Sequence, residues 1–133
     1  MVSVTAHEEL RALVQRYARA ADRRDLDALA ELFRPDATLV GTRGAQTLEE
    51  WLDTMRGPRA FPTSMHVLGD PLIALDGSAT EATLDTYAVV YQLSEPGSGA
   101  GDLTLGINYL DRAVLADGRW AISHRESRTL WIR

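Results

Sequence analysis

The sequence contains no cysteine, which excludes disulfides, thiolate metal sites and a cysteine nucleophile. This absence suits a reducing cytoplasm, where we expect the protein to lie. Its apolar runs are only a few residues long, so we expect no membrane span, and residues 1–5 lack the pattern of a signal peptide. Basic residues are outnumbered by acidic ones, 14 against 19, and the net charge of −5 argues against nucleic acid as a partner.

Signals for metals, cofactors and covalent catalysis are also missing. His7, His66 and His124 do not have the spacing of a metal site, so no metal is expected. There is no G-x-S-x-G nucleophile elbow. The glycines at positions 97, 99 and 101 do not sit between a strand and a helix, as a dinucleotide site requires. We therefore expect no metal centre, no serine nucleophile of this type and no dinucleotide site.

The length of 133 residues fits a single domain spanning residues 1–133. Apolar residues at helical spacing predict a first helix over residues 5–21. Asp25 is a candidate N-cap for a second helix that Pro35 would end. A short strand is expected at residues 37–40. Thr47 and Glu50 form a possible capping box for a third helix, which would stop at positions 57 and 58.

The second half of the chain is rich in β-forming residues. Four strands are predicted at residues 64–75, 80–93, 103–115 and 119–132, with Asp-Gly turns at positions 76–77 and 117–118. Three helices followed by a long antiparallel meander indicate an α+β domain, in which the helices cover one face of a curved sheet. If the sheet curls, a cone-shaped pocket with one open end forms between the two layers.

Several runs resemble SnoaL-like proteins of the nuclear transport factor 2-like superfamily. They are VQRYARAADRRDLDALAELFRPDAT at residues 14–38, MHVLGD at 65–70, NYLDR at 108–112 and DGRWAISHR at 117–125. The resemblance extends over essentially the whole chain and implies the cone-shaped α+β fold. It says less about activity, because this fold carries isomerases, dehydratases, cyclases, epoxide hydrolases, dehydrochlorinases and binding modules.

The resemblance implies a candidate catalytic pair. In the dehydratases and the dehydrochlorinase of this superfamily, an Asp at a helix end pairs with a His on the following long strand, and Asp22 and His66 match these positions. Tyr17 matches a polar residue five positions before the Asp. The general base of ketosteroid isomerase would fall near Gly41, so an isomerase of that design is not expected. Its second oxyanion acid would fall at Leu110 or Asp111.

Physical chemistry supports the pair but leaves other interpretations open. A buried carboxylate bonded to an imidazole holds the ring in one tautomer, and the ring can then remove a proton from carbon. Asp22 could instead cap the turn before the second helix, and His66 could be a buried histidine with a structural role. Tyr17 could equally be an ordinary core residue.

Strand alternation adds weaker candidates for contacts to the substrate. Asn108 would share a face with Leu110 and Arg112, and His124 would share one with Trp120 and Ile122. We take Asn108 and His124, with Tyr17, as possible donors to a substrate oxygen. Arg112 and Arg125 are expected to form ion pairs at the surface or at an interface.

These observations favour a cofactor-independent lyase, isomerase or cyclase. Its substrate would be an apolar small molecule such as a polyketide or a steroid-like ring. The alternative is a non-catalytic ligand-binding or assembly module on the same fold, for which Asp22 and His66 would lie well beyond about 3.5 Å apart. Apolar and aromatic residues on the outer sheet face suggest a homo-oligomer, a dimer rather than a trimer.

Overall fold

The computed structural model describes residues 2–133, with side chains from Ala6 onward. Met1 and the side chains of residues 2–5, part of the segment in which no signal peptide is expected, lie outside the described residues. Three helices are present: α1 (Val2–Arg23), α2 (Leu26–Glu31) and α3 (Leu48–Arg56). Both expected caps are confirmed. The Asp25 carboxylate accepts a hydrogen bond from the Ala28 backbone N–H, and Thr47 and Glu50 form the reciprocal capping box of α3.

The seven strands form one open sheet in the order β2-β1-β7-β6-β5-β3. The strand β3 pairs with residues 88–93 of β5, and β4 pairs with residues 82–85 of the same strand. The strands are β1 (Phe33–Gly41), β2 (Gly44–Thr47), β3 (Thr63–Leu68), β4 (Leu72–Leu75), β5 (Glu81–Leu93), β6 (Leu103–Ala116) and β7 (Arg119–Ile132). Neighbouring strands run antiparallel except β1 and β7, which are parallel. The curved sheet is therefore mixed, although its longest pairings are those of the expected meander.

The core lies between α1 and the inner face of this sheet. Leu10 on α1, Leu29 on α2 and Ile122 on β7 are each fully buried, and Leu84 on β5 is 1% exposed. Burial of such side chains stabilises the fold by about 1.5–3 kcal/mol each. Among residues 2–133, no helix is both long and apolar enough to cross a membrane.

One helix end and one strand were predicted wrongly, and one short strand was not predicted. The second helix ends at Glu31 instead of running to Pro35, because Phe33 already begins β1 beside Ile122 of β7. The strand predicted at residues 64–75 is divided into β3 and β4, and residues 69–71 separate them. The short strand β2 was not predicted. It pairs with β1 through a tight turn in which Gly44 adopts a φ of +80°.

A β-bulge on β7 matters for the position of the site residues. Arg112 of β6 lies opposite His124, whereas Ala113 lies opposite Ile122, so that Ser123 is an extra residue on β7. An extra residue reverses the alternation of side chains beyond it. Ile122 therefore faces the core, and His124, two positions later, does not.

Candidate active site

Asp22 lies in the last turn of α1, where the helix packs against β3. Its carboxylate accepts three hydrogen bonds from β3. Oδ1 receives the Ser64 hydroxyl at 2.9 Å and lies 2.6 Å from His66 Nδ1, and Oδ2 receives the His66 backbone N–H at 3.0 Å. These hydrogen bonds from β3 offset the cost of partly removing the Asp22 carboxylate from water.

His66 is held on the inner face of β3 by simple alternation. Met65 and Val67 are about half exposed on the outer face, at 51% and 48%, while Ser64, His66 and Leu68 are more buried and point the other way. The side chains of His66 and Asp22 are 9% and 19% exposed, respectively. The pair is therefore largely shielded from water but keeps some accessible surface.

The geometry assigns different roles to the two nitrogens of the His66 ring. Nδ1 is engaged with a carboxylate that already receives two other donors, so in the neutral ring Nδ1 carries the proton and donates to Asp22. Nε2 has no partner among the described residues. It is then the basic nitrogen of the ring, free to accept a proton from a bound molecule.

Aromatic rings surround this pair. Tyr17, one and a half turns before Asp22 on α1, packs edge-on against the His66 ring, with centroids 5.9 Å apart. It also contacts Tyr109 of β6 at 5.6 Å and stacks on Trp51 of α3 at 6.4 Å. Tyr17 is only 7% exposed. It therefore belongs both to the core and to the wall beside the histidine, so the two interpretations offered for it are not exclusive.

A buried ion pair lies behind these rings. Arg125 of β7 donates from Nε and Nη2 to the two carboxylate oxygens of Asp111 on β6, at 2.7 and 2.9 Å. The side chains are 2% and 0% exposed, respectively. Burial by itself lowers the pKa of Arg125, but the adjacent Asp111 carboxylate more than offsets this, so the pKa is raised and the guanidinium stays charged.

The remaining nitrogen of this guanidinium differs from the two that bind Asp111. Arg125 Nη1 is buried and has no hydrogen-bond partner among the described residues. The guanidinium carbon lies 3.9 Å from the centroid of the Tyr17 ring and 4.4 Å from that of Tyr109. An unsatisfied buried donor is unusual in a native protein, and a role in binding or catalysis is one explanation for it. Arg125 was expected at the surface, and the structure corrects this interpretation.

Tyr109 is the most perturbed phenol of the site. Burial raises its pKa well above the ordinary value, the neighbouring Tyr17 raises it further, and Arg125 opposes both effects. The phenol therefore stays protonated at neutral pH and can act only as a neutral hydroxyl.

Two of the expected substrate contacts lie elsewhere. Asn108 lies on the outer face of the sheet, where its amide donates to Asp85 Oδ1 at 2.7 Å. The residue after it, Tyr109, occupies the inner face. His124 also faces outward, opposite Arg112, because of the bulge at Ser123. Neither residue is brought together with Asp22 and His66, so we no longer regard them as substrate contacts.

The sequence analysis did not assign three residues to the site that the structure places beside it: Ser64, Asp111 and Arg125. Ser64 could have been found, because it lies two positions before His66 on one strand and must share its face. Asp111 was named only as one of two positions at which the second oxyanion acid of ketosteroid isomerase would fall. Among the described residues, no group of three or more His, Cys, Asp or Glu side chains is arranged to hold a metal ion.

Comparison with known proteins decides the family. Residues 2–126 match the SnoaL-like domain. The chain belongs to the SnoaL-like domain family. Among curated proteins, none matches this SnoaL-like chain significantly.

Solved structures confirm the fold of this SnoaL-like domain. A protein from Novosphingobium aromaticivorans, provisionally described as a scytalone dehydratase, shares 21% identity with a TM-score of 0.88, covering 99% of this chain and 89% of that one. The hexachlorocyclohexane dehydrochlorinase LinA type 3 from Novosphingobium barchaimii shares 17% identity with a TM-score of 0.85, and the match covers 99% of this chain and 91% of that one. A nuclear transport factor 2-like protein from Salmonella enterica shares 16% sequence identity with a TM-score of 0.83, and the match covers 96% of this chain and 92% of that one.

Proposed function

We propose that this SnoaL-like protein is a cofactor-independent acid–base enzyme that catalyses an elimination on an apolar small molecule. His66 is the general base and Asp22 the residue that orients it. The observation that carries the proposal is the 2.6 Å contact between Asp22 Oδ1 and His66 Nδ1, in a pair that is only 19% and 9% exposed. A non-catalytic module was expected to separate these side chains.

The chemistry follows from the assignment of the ring nitrogens. Nε2 of His66 removes a proton from a carbon of the substrate, and the electron pair of that C–H bond forms a double bond as a hydroxide or halide leaves the adjacent carbon. The imidazolium that forms is stabilised by Asp22. When the leaving group is a hydroxyl, the same imidazolium can return its proton to it, so that water departs. Isomerisation and cyclisation share the first step.

Arg125 supplies the second part of the proposed mechanism. Its buried Nη1 donor, which has no partner among the described residues, can stabilise negative charge that develops on a substrate oxygen or on the leaving group. A fixed cation acts strongly in a site from which water is excluded. The Asp111 carboxylate holds the guanidinium in place through two hydrogen bonds, which leaves Nη1 as the free donor.

The activities described for two structural relatives support elimination over the other reactions. A dehydratase and a dehydrochlorinase both remove a proton and a leaving group from neighbouring carbons. Their identity to this chain is low, so we take from them only the class of reaction. The aromatic wall formed by Tyr17, Trp51 and Tyr109 suits an apolar ring as the substrate.

The experiment is a set of three variants assayed against a panel of β-hydroxy and β-halo cyclic compounds. Removing a general base costs about 10²–10⁴-fold in rate, so His66→Ala should lower kcat by that factor. Asp22→Asn should lower it comparably. His124→Ala is the matched control, because that histidine lies on the outer face, and its rate should equal that of the parent. Full turnover in both dyad variants would disprove the proposal.

We also propose that the outer face of the sheet joins copies of this chain. Large apolar side chains are exposed there, and Leu72 and Tyr87 are the most exposed of them, at 75% and 67%. Such a concentration on one face is typical of an interface. Light scattering on the parent protein and on a Tyr87→Glu variant tests this. A dimer or trimer that dissociates in the variant is expected, and a monomeric parent would contradict it.

A further inference from the structure

A groove with a volume of about 640 Å³ runs between α1, α2 and the start of β7. This volume is in the range of small-molecule sites, about 300–1,000 Å³. None of Asp22, His66 and Arg125 lines it, so it is separate from the proposed active site. Its floor is apolar and is formed by Leu13, Ala20, Ala28, Leu32 and Trp120.

The rim of the groove is basic, in contrast to the rest of the chain. Arg16, Arg19 and Arg23 follow one another at helical spacing on α1, and Arg119 approaches from β7. Two carboxylates, Asp25 and Glu31, also line the groove. Four positive and two negative groups give a local charge of +2 in a protein whose net charge is −5. The groove therefore attracts anions that the protein as a whole repels.

In the described part of the chain, none of the four arginines forms an ion pair. Among residues 2–133, the ion pairs formed by arginine involve other residues, namely Arg11, Arg56, Arg125 and Arg128. One of the two carboxylates of the groove is already engaged, because Asp25 Oδ1 accepts the Ala28 backbone N–H at 3.1 Å as the cap of α2. The guanidinium groups above the apolar floor are thus free to bind an anion.

We propose that this groove is a second binding site, for a small amphipathic anion with an apolar body and one acidic group at its end. The apolar body would lie on Leu32 and Trp120, which are 7% and 5% exposed at the floor. The acidic group would contact the arginines of α1, whose guanidinium forks bind a carboxylate or phosphate with two parallel hydrogen bonds.

The test compares decanoate with decanol, which share the same alkyl chain and differ in charge. Each is titrated into the 15N-labelled full chain, and backbone amide shifts are followed. Decanoate should shift amides of α1, α2 and the start of β7 and should bind at least about tenfold more tightly than decanol. Raising NaCl from about 50 to 300 mM should weaken decanoate binding, because the exposed arginines are screened.

Variants separate the groove from other places where an alkyl chain could bind. Arg16→Gln combined with Arg19→Gln should weaken decanoate binding by about tenfold or more. Arg43→Gln is the matched control, since Arg43 is an exposed arginine on the β1–β2 turn that makes no ion pair in the described chain. It should bind as the parent does, and so should His66→Ala. Equal affinities for decanoate and decanol, shifts confined to the dyad, or an unaffected double variant would each overturn the proposal.

Discussion

The guanidinium carbon of Arg125 lies 3.9 Å from the centroid of the Tyr17 ring, so a fully buried cation rests against the aromatic wall of the candidate site. Such a desolvated contact contributes on the order of 2 kcal/mol. The contact joins β7 to α1, and Tyr17 in turn touches the His66 ring. The Arg125 guanidinium and the His66 ring are thereby both held in place by contacts with the Tyr17 ring.

Removal of one partner of the buried ion pair should be strongly destabilising. Asp111→Ala leaves the Arg125 charge buried without its carboxylate, and we expect the free energy of unfolding to fall by about 3–5 kcal/mol. Urea denaturation followed by circular dichroism measures the change. Arg128→Ala, which removes an exposed pair with Glu126, is the control and should cost less than about 1 kcal/mol.

A charge-free replacement of the same pair separates stability from function. Asp111→Leu combined with Arg125→Met should regain most of the stability that Asp111→Ala loses, because apolar side chains of similar volume often replace a buried pair without cost. The same double variant should lose turnover of any substrate found for the parent. If it is fully active, the role proposed for Arg125 Nη1 is wrong.

Local features of the fold could be predicted from the sequence because their signals lie within a few residues. The caps at Asp25 and at Thr47 with Glu50 depend on contacts three residues apart. The alternation that places His66 inward is likewise contained in one short strand. The matched positions of Asp22 and His66 came from resemblance, and the structure brings their side chains into contact.

Positions that depend on strand pairing could not be predicted in this way. Alternation shows that Asn108 and Tyr109 face opposite sides, but not which of them faces inward. The choice becomes clear only when β6 is placed between β5 and β7. His124 was misplaced for a related reason, because one extra residue at Ser123 reverses the alternation. The partnership of Arg125 with Asp111 depends on the same register.

The tautomer of His66 gives a test of the dyad that requires no substrate. In the parent protein at neutral pH, the ring should carry its proton on Nδ1, since Asp22 Oδ1 lies 2.6 Å from that atom. Long-range 1H–15N correlation spectra distinguish the two tautomers. Asp22→Ala should lose the preference for the Nδ1-protonated form, while Ser64→Ala, which removes only one donor to the carboxylate, should keep it. A parent protein with the proton on Nε2 would contradict the proposed base.

Tyr109 should make the protein sensitive to alkaline pH. Its pKa is raised above about 10 by burial, so the folded state keeps the phenol protonated after the unfolded chain has begun to ionise. This contribution is fully present below pH of about 10 and is lost as pH rises toward the folded pKa. The fall in Tm between pH 9 and 11 should therefore be shallower in Tyr109→Phe than in the parent. Tyr87→Phe, at a side chain that is 67% exposed, should follow the parent.

The two Asp-Gly turns look alike in the sequence but should respond differently to substitution. Asp117 and Gly118 both adopt positive φ, 53° and 74°, as a two-residue type I′ hairpin requires. In the other turn, the residue with positive φ is Ala79, at 57°, and a Cβ on Gly77 would meet nothing within 4 Å. Gly118→Ala should therefore lower the free energy of unfolding by about 1 kcal/mol, whereas Gly77→Ala should leave it unchanged or raise it slightly. Urea midpoints at constant m-value measure both, and equal losses in the two variants would show that the second turn also depends on its glycine.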